Sequence, residues 1–94
     1  SLGLMIKGKI NTYTHTDVPL QKGDTVYLFS DGYADQIGGP AGDSKFLYTR
    51  FRQLLSRIGQ EDFNRQKSLL QENIINWRND MEQVDDILIV GFRI

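Results

Sequence analysis

The sequence predicts an α+β domain, an antiparallel sheet covered on one face by a two-helix hairpin. Three observations carry this. The segments "TVYLFS" and "DILIVGF" are apolar on both faces, as strands covered on both sides are. Between them lie two stretches whose apolar residues recur at helical spacing, separated by a short break at Gly59. The chain has 94 residues, enough for one small domain and no more.

Composition narrows the class further. Hydrophobic residues make up 39% and charged residues 24%, the balance of a globular chain rather than a disordered one. The net charge of -1 gives no footing for nucleic acid or for direct contact with an anionic membrane. There is no cysteine, so disulfides and thiolate zinc sites are excluded, and a reducing, cytoplasmic setting fits. No apolar run approaches the ~18 residues of a membrane span, and no signal peptide is visible. The opening "SLGLMIKGKI" lacks an initiator methionine and reads as part of something longer, with a tag remnant as the plain alternative.

Taken in order, "GLMIKGKINTYTH" reads as one or two short strands interrupted at Gly8. "VPLQKGD" is a turn built on Pro19 and Gly23-Asp24. "TVYLFS", residues 25–30, is a strand with Val26 and Leu28 on one face and Tyr27 and Phe29 on the other. Residues 31–44, rich in glycine, read as loop. Asp43 or Ser44 can cap a first helix, with Leu47, Phe51, Leu54, Leu55 and Ile58 in one stripe. A second helix runs from about Glu61 to Trp77, with Phe63, Leu70, Ile74 and Trp77 on its stripe. "DILIVGFRI" is the last strand. Two helices can cover one sheet face. The other face needs a further layer, from a segment outside this chain or from a partner copy. A chain exposing that face alone is expected to self-associate.

Acidic residues sit at the strand ends. Asp31 follows one strand, and Asp85 and Asp86 precede another. If the two strands pair antiparallel, these carboxylates meet at one end of the sheet. Close like charges repel unless a cation intervenes, and carboxylate oxygens suit Mg²⁺ or Mn²⁺. Gly32 lets the backbone turn tightly beside such a site. An ordinary turn at "SDG" and an ordinary loop end at "VDD" are the plain alternatives.

Other candidates are weaker. His15, flanked by threonines, reads as a surface residue. "GGPAGDSK" lacks phosphate-loop spacing and reads as a flexible connection. Lys45, Arg50, Arg52 and Arg57 make the first helix basic, a solvated face by default. Trp77 belongs to the core, and Ser44 has no base to make it a nucleophile.

In order, "KGDTVYLFSDGYADQIGG", "KFLYTRFRQLL" and "WRNDMEQVDDILIVGFRI" resemble the C-terminal half of a known family. That family is the bacterial serine phosphatase domain of the sporulation protein E and RsbU-like type, within the metal-dependent type 2C protein phosphatases. The resemblance implies that residues 1–94 form the C-terminal portion of one phosphatase domain, part of an α-β-β-α sandwich. It implies two Mn²⁺ or Mg²⁺ ions in the complete domain, with Asp31 and Asp85 as metal ligands here and Gly32 and Asp86 in support. It implies hydrolysis of phosphoserine or phosphothreonine on a regulatory partner, such as an anti-sigma-factor antagonist. The segment carrying the family's early metal-binding aspartate has no counterpart in this chain, so the fragment alone is expected to be inactive. Leu88 stands where the family often has threonine. The rival reading is a degenerate phosphatase-like module that binds protein without catalysis; a free-standing α/β interaction domain would require this chain to be a complete gene product.

Overall fold

A computed structural model describes residues 2–11 and 19–94 of the chain. His15 and the threonines beside it lie outside the described residues. Strands β1 (Leu2–Ile6) and β2 (Lys9–Asn11) form a hairpin, joined at Lys7 and Gly8, whose positive φ values of 54° and 76° suit a tight two-residue turn. Strand β3 (Thr25–Ser30) pairs antiparallel with β1, and the C-terminal strand β6 (Ile89–Arg93) pairs antiparallel with β3. The sheet order is β2-β1-β3-β6.

Between β3 and β6 the chain forms a short helix α1 (Gly32–Asp35), a small hairpin of β4 (Ile37–Gly38) and β5 (Ser44–Lys45), and two longer helices, α2 (Tyr48–Ile58) and α3 (Phe63–Arg78). Asp62 caps α3 by accepting from the Arg65 N–H at 2.8 Å. The expected hairpin of helices is therefore present, on one face of an antiparallel sheet. Met5, Tyr27 and Phe29 point from that face into a core shared with Phe51, Leu54, Leu55, Ile58, Leu70 and Ile74. Phe29 meets Phe51 edge-on with ring centroids 4.9 Å apart.

Three expectations need correction. The segment after Asp31 is not a plain loop. Tyr33 and Ala34 of α1 are buried, and the Tyr33 hydroxyl donates to the Leu70 carbonyl at 2.7 Å, so core packing imposes structure on a glycine-rich stretch. The first helix starts later than a Ser44 cap implies. Ser44 and Lys45 pair with β4 instead, and Leu47 flanks the helix as an exposed residue rather than joining its buried stripe. Last, β6 lies at the edge of the sheet, not its centre. Leu28, Val90 and Phe92 share the face away from the helices and remain 39%, 46% and 39% exposed. Val26 on the same face is buried, so the face is open in part: among the described residues no layer packs over Leu28, Val90 and Phe92.

Candidate metal centre

The pairing of β3 with β6 decides where the acids go. Phe29 stands opposite Ile89, so the end of β3 lies beside the start of β6. Ser30 then joins the two chain segments beyond the last ladder pair. Its N–H donates to the Leu88 carbonyl at 2.9 Å, its hydroxyl donates to the Asp86 carbonyl at 3.0 Å, and the same hydroxyl accepts from the Leu88 N–H at 3.0 Å. One serine thus replaces the next rung of the sheet.

Gly32 brings the segments closer still. A Cβ placed on it would lie 2.8 Å from the Asp86 carbonyl carbon, nearer yet to the carbonyl oxygen, and 3.1 Å from Ile87 Cγ1. The obstacle is backbone, which cannot swing aside, so only glycine fits here without displacement. The loop after Asp31 therefore lies directly against the Asp85–Asp86 loop.

Each candidate side chain has a defined setting. Asp31 stands immediately before α1, and its backbone carbonyl accepts from the Asp35 N–H at 2.9 Å. Its Oδ1 accepts a hydrogen bond from the Tyr48 hydroxyl. Asp85 and Asp86 are exposed, and Asp85 Oδ1 accepts from the Asp86 N–H at 2.8 Å. The Gln83 side-chain amide donates to the Asp85 carbonyl at 2.9 Å. Burial raises the Tyr48 phenol above its usual range, and the hydrogen bond and charge of Asp31 push it the same way, so the hydroxyl is a neutral donor.

Two residues outside the acidic set hold this region and gave no sequence signal beyond type. Gln36 is fully buried, and its side-chain amide donates to the Glu82 carbonyl at 2.8 Å and to Ile37 at 3.0 Å, tying the approach to Asp85 down onto α1. Tyr48 reads as one more position in a basic helix until the fold sets it against Asp31. Of the weaker candidates, Lys45 pairs with Asp35 at 3.6 Å and Arg50 lies over the Trp77 ring at 4.5 Å. Trp77 borders the core, its indole N–H donating to the Gln36 carbonyl at 3.0 Å. "GGPAGDSK" spans the tip of the β4–β5 hairpin, closed by Gly42 N–H to Gly39 carbonyl at 3.0 Å.

Residues 2–94 match the family described as Stage II sporulation protein E (SpoIIE). The chain belongs to the SpoIIE family. Among solved structures it is similar to the "SiaA-PP2C domain of Pseudomonas aeruginosa", with a TM-score of 0.85 and 27% sequence identity. The match covers 99% of this chain and 43% of that one, so the SpoIIE-family chain spans less than half the length of its structural relative. No curated protein matches the sequence. Family and fold together are those of a PP2C-like phosphatase domain, as the resemblance implied.

The PP2C superfamily generally uses Mn²⁺ or Mg²⁺. The donors on the two loops are of the right kind for such hard cations, being carboxylates. They are few. Among the described residues no group of three or more histidine, cysteine, aspartate or glutamate side chains is placed to hold a metal. By donor type and number Asp31, Asp85 and the neighbouring Asp86 are therefore too few to make a whole site. Among the described residues no helix is long and apolar enough to cross a membrane.

Proposed function

We propose that this chain is the C-terminal portion of a metal-dependent protein serine/threonine phosphatase domain, acting on phosphoserine or phosphothreonine of a regulatory protein in bacterial signalling. The observation that carries the reading is the junction of the Asp31 and Asp85–Asp86 loops at one end of the β3–β6 pair, in a chain of the SpoIIE family.

In this reading Asp31 and Asp85 hold one Mn²⁺ or Mg²⁺, and Gly32 and Asp86 support them through their backbones. A bound divalent ion would lower the pKa of a coordinated water, which on losing its proton could attack a phosphoester. The chain's own residues set the stage for it. Ser30 locks the two loops in register, Gly32 lets them touch, and Gln36 anchors the approach to Asp85. The remaining ligands, including those of a second ion, come from the rest of the domain. The same remainder covers the open face of the sheet. Without it, the chain alone would be inactive and would self-associate through Leu28, Val90 and Phe92. The substrate class proposed is a phosphorylated regulatory protein such as an anti-sigma-factor antagonist, met in the cytoplasm.

The test is hydrolysis of a phosphoserine peptide by the full-length protein with Mn²⁺. Asp31→Asn and Asp85→Asn should each abolish turnover and leave the circular dichroism spectrum unchanged. Asp86→Asn should be mild, because it is the carbonyl of Asp86 that Ser30 holds and the substitution keeps it. Wild-type turnover in both Asp31→Asn and Asp85→Asn would overturn the reading and leave a protein-binding module with a phosphatase fold.

A further inference from the structure

We propose that Tyr48 is a positioning residue whose phenolic hydroxyl fixes the orientation of the Asp31 carboxylate for a divalent ion. The proposal rests on the reading of Asp31 as a metal ligand. Three features of the fold carry it.

The first is the contact itself. The Tyr48 hydroxyl donates to Asp31 Oδ1 across 17 residues of sequence, from the first residue of α2 to the residue just past the end of β3. A carboxylate on a short side chain turns about two bonds. A fixed donor on one oxygen removes that rotation before an ion arrives. A hydroxyl is suited to this, since it gives one directed hydrogen bond and carries no positive charge to compete with the cation.

The second is that the hydroxyl is anchored to the strand that carries its partner. The Tyr48 ring lies tilted against Phe29, with centroids 5.9 Å apart. Phe29 is fully buried and stands two residues before Asp31. Donor and acceptor therefore hang from the same strand end, one through the backbone and one through packed rings.

The third is the backbone that delivers Tyr48. Leu47 just before it holds φ 77° and ψ 150°, a conformation rarely adopted by L side chains. It is kept there by hydrogen bonds on both sides of the turn. The Phe46 N–H donates to the Gln36 carbonyl at 3.0 Å, the Leu47 N–H to the Ala34 carbonyl at 2.8 Å, and the Phe51 N–H to the Leu47 carbonyl at 3.1 Å. The turn into α2 is thus pinned to α1, the element that Asp31 begins. Strained backbone persists where its surroundings over-determine it, and here they aim Tyr48 at Asp31.

The experiment is Mn²⁺ titration calorimetry on the full-length protein with Tyr48→Phe, Asp31→Asn and the double variant. Phenylalanine keeps the ring on Phe29 and removes only the hydroxyl. Tyr48→Phe should weaken Mn²⁺ binding about 10-fold. The melting temperature of the metal-free protein should hold, and kcat should recover at saturating Mn²⁺. In the Asp31→Asn background Tyr48→Phe should change Mn²⁺ binding no further. Should Tyr48→Phe melt early, Tyr48→Trp, which keeps a ring and an N–H donor, should bind Mn²⁺ more tightly than Tyr48→Phe. If Asp31→Asn loses Mn²⁺ binding while Tyr48→Phe binds as wild type, the role of Tyr48 is overturned and the metal reading stands. If Asp31→Asn itself binds Mn²⁺ as wild type, the metal reading fails and the proposal with it. An equal loss from Tyr48→Phe in both backgrounds would show a merely structural role and overturn the proposal.

Discussion

Gly32→Ala is the sharpest probe of how the acidic loops are held together. The substitution adds one methyl group, in a residue that already belongs to α1. Helix propensity alone would favour alanine there by ~1 kcal/mol. Sterics oppose it. The new carbon would fall 2.8 Å from the Asp86 carbonyl carbon, against ~3.5–4.0 Å for a comfortable contact. The two backbones must part by about 1 Å or more. Overpacking of that kind costs ~1–3 kcal/mol. The displaced carbonyl is the one that accepts from Ser30 at 3.0 Å, and the loss of that bond adds ~1 kcal/mol. Set against the ~1 kcal/mol from helix propensity, the net loss is ~1–3 kcal/mol, which in a domain of ~150–250 residues lowers the melting temperature by roughly 2–12 °C. Thermal denaturation of the full-length protein, followed by circular dichroism, gives the number. Mn²⁺ affinity should fall in parallel, because the displaced segment carries Asp85. A variant that melts within about a degree of wild type and binds Mn²⁺ normally would show that the loops do not depend on this approach.

Other expected outcomes follow from single contacts. Leu47→Gly should raise the unfolding free energy, and with it the urea midpoint, by the ~1–3 kcal/mol of relieved backbone strain less the entropic cost of glycine, since the side chain is half exposed and buries little. A lowered midpoint would mean that Leu47 is not strained. Gln36→Glu should destabilise more than Gln36→Leu, because a buried carboxylate forfeits the donor to Glu82 and gains an uncompensated charge, and equilibrium unfolding of the pair orders them. Burial holds the Tyr33 phenol protonated well above the ordinary value of 10.0, whereas the unfolded chain ionises there. Stability should therefore be complete below about pH 10 and decline above it. Tyr33→Phe should cost ~1 kcal/mol at neutral pH, through the bond to Leu70, and flatten that alkaline decline in pH-dependent melts.

Periodicity made the architecture legible. The two strands and the stripe of Phe51, Leu54, Leu55 and Ile58 announce a sheet under helices, and these residues are the ones buried. Asp31 and Asp85 attract notice for an equally simple reason, as acids abutting apolar strands, and antiparallel pairing places those strand ends together. What periodicity cannot carry is contact between segments of no regular pattern. Tyr33 is buried in a stretch whose glycines and polar residues read as loop. Gln36 is fully buried although its type is usually exposed. Leu47 looks like the head of an apolar stripe and instead marks the turn before it. The meeting of Gly32 with Asp86 joins positions 54 residues apart in a chain whose local signals say only "turn" at both.

The division between legible and illegible follows the division of labour in the site. Apolar strands make a rigid mount, and any sequence of the right alternation supplies one. The residues that aim the carboxylates act through single hydrogen bonds and one missing Cβ, so each is a specific type at a specific place with no pattern around it. Ser30 does twice the work its position implies, donating to one loop carbonyl and accepting from one loop N–H. Alanine there would leave the Asp86 carbonyl and the Leu88 N–H without that partner while the β3–β6 ladder from Phe29 onward stayed paired. The mount would survive and the aim would not. On the proposed reading a carboxylate pair at a sheet end becomes a metal site only when its loops are locked in register, and the lock would be a serine, a glycine and a tyrosine around the acids rather than the acids themselves.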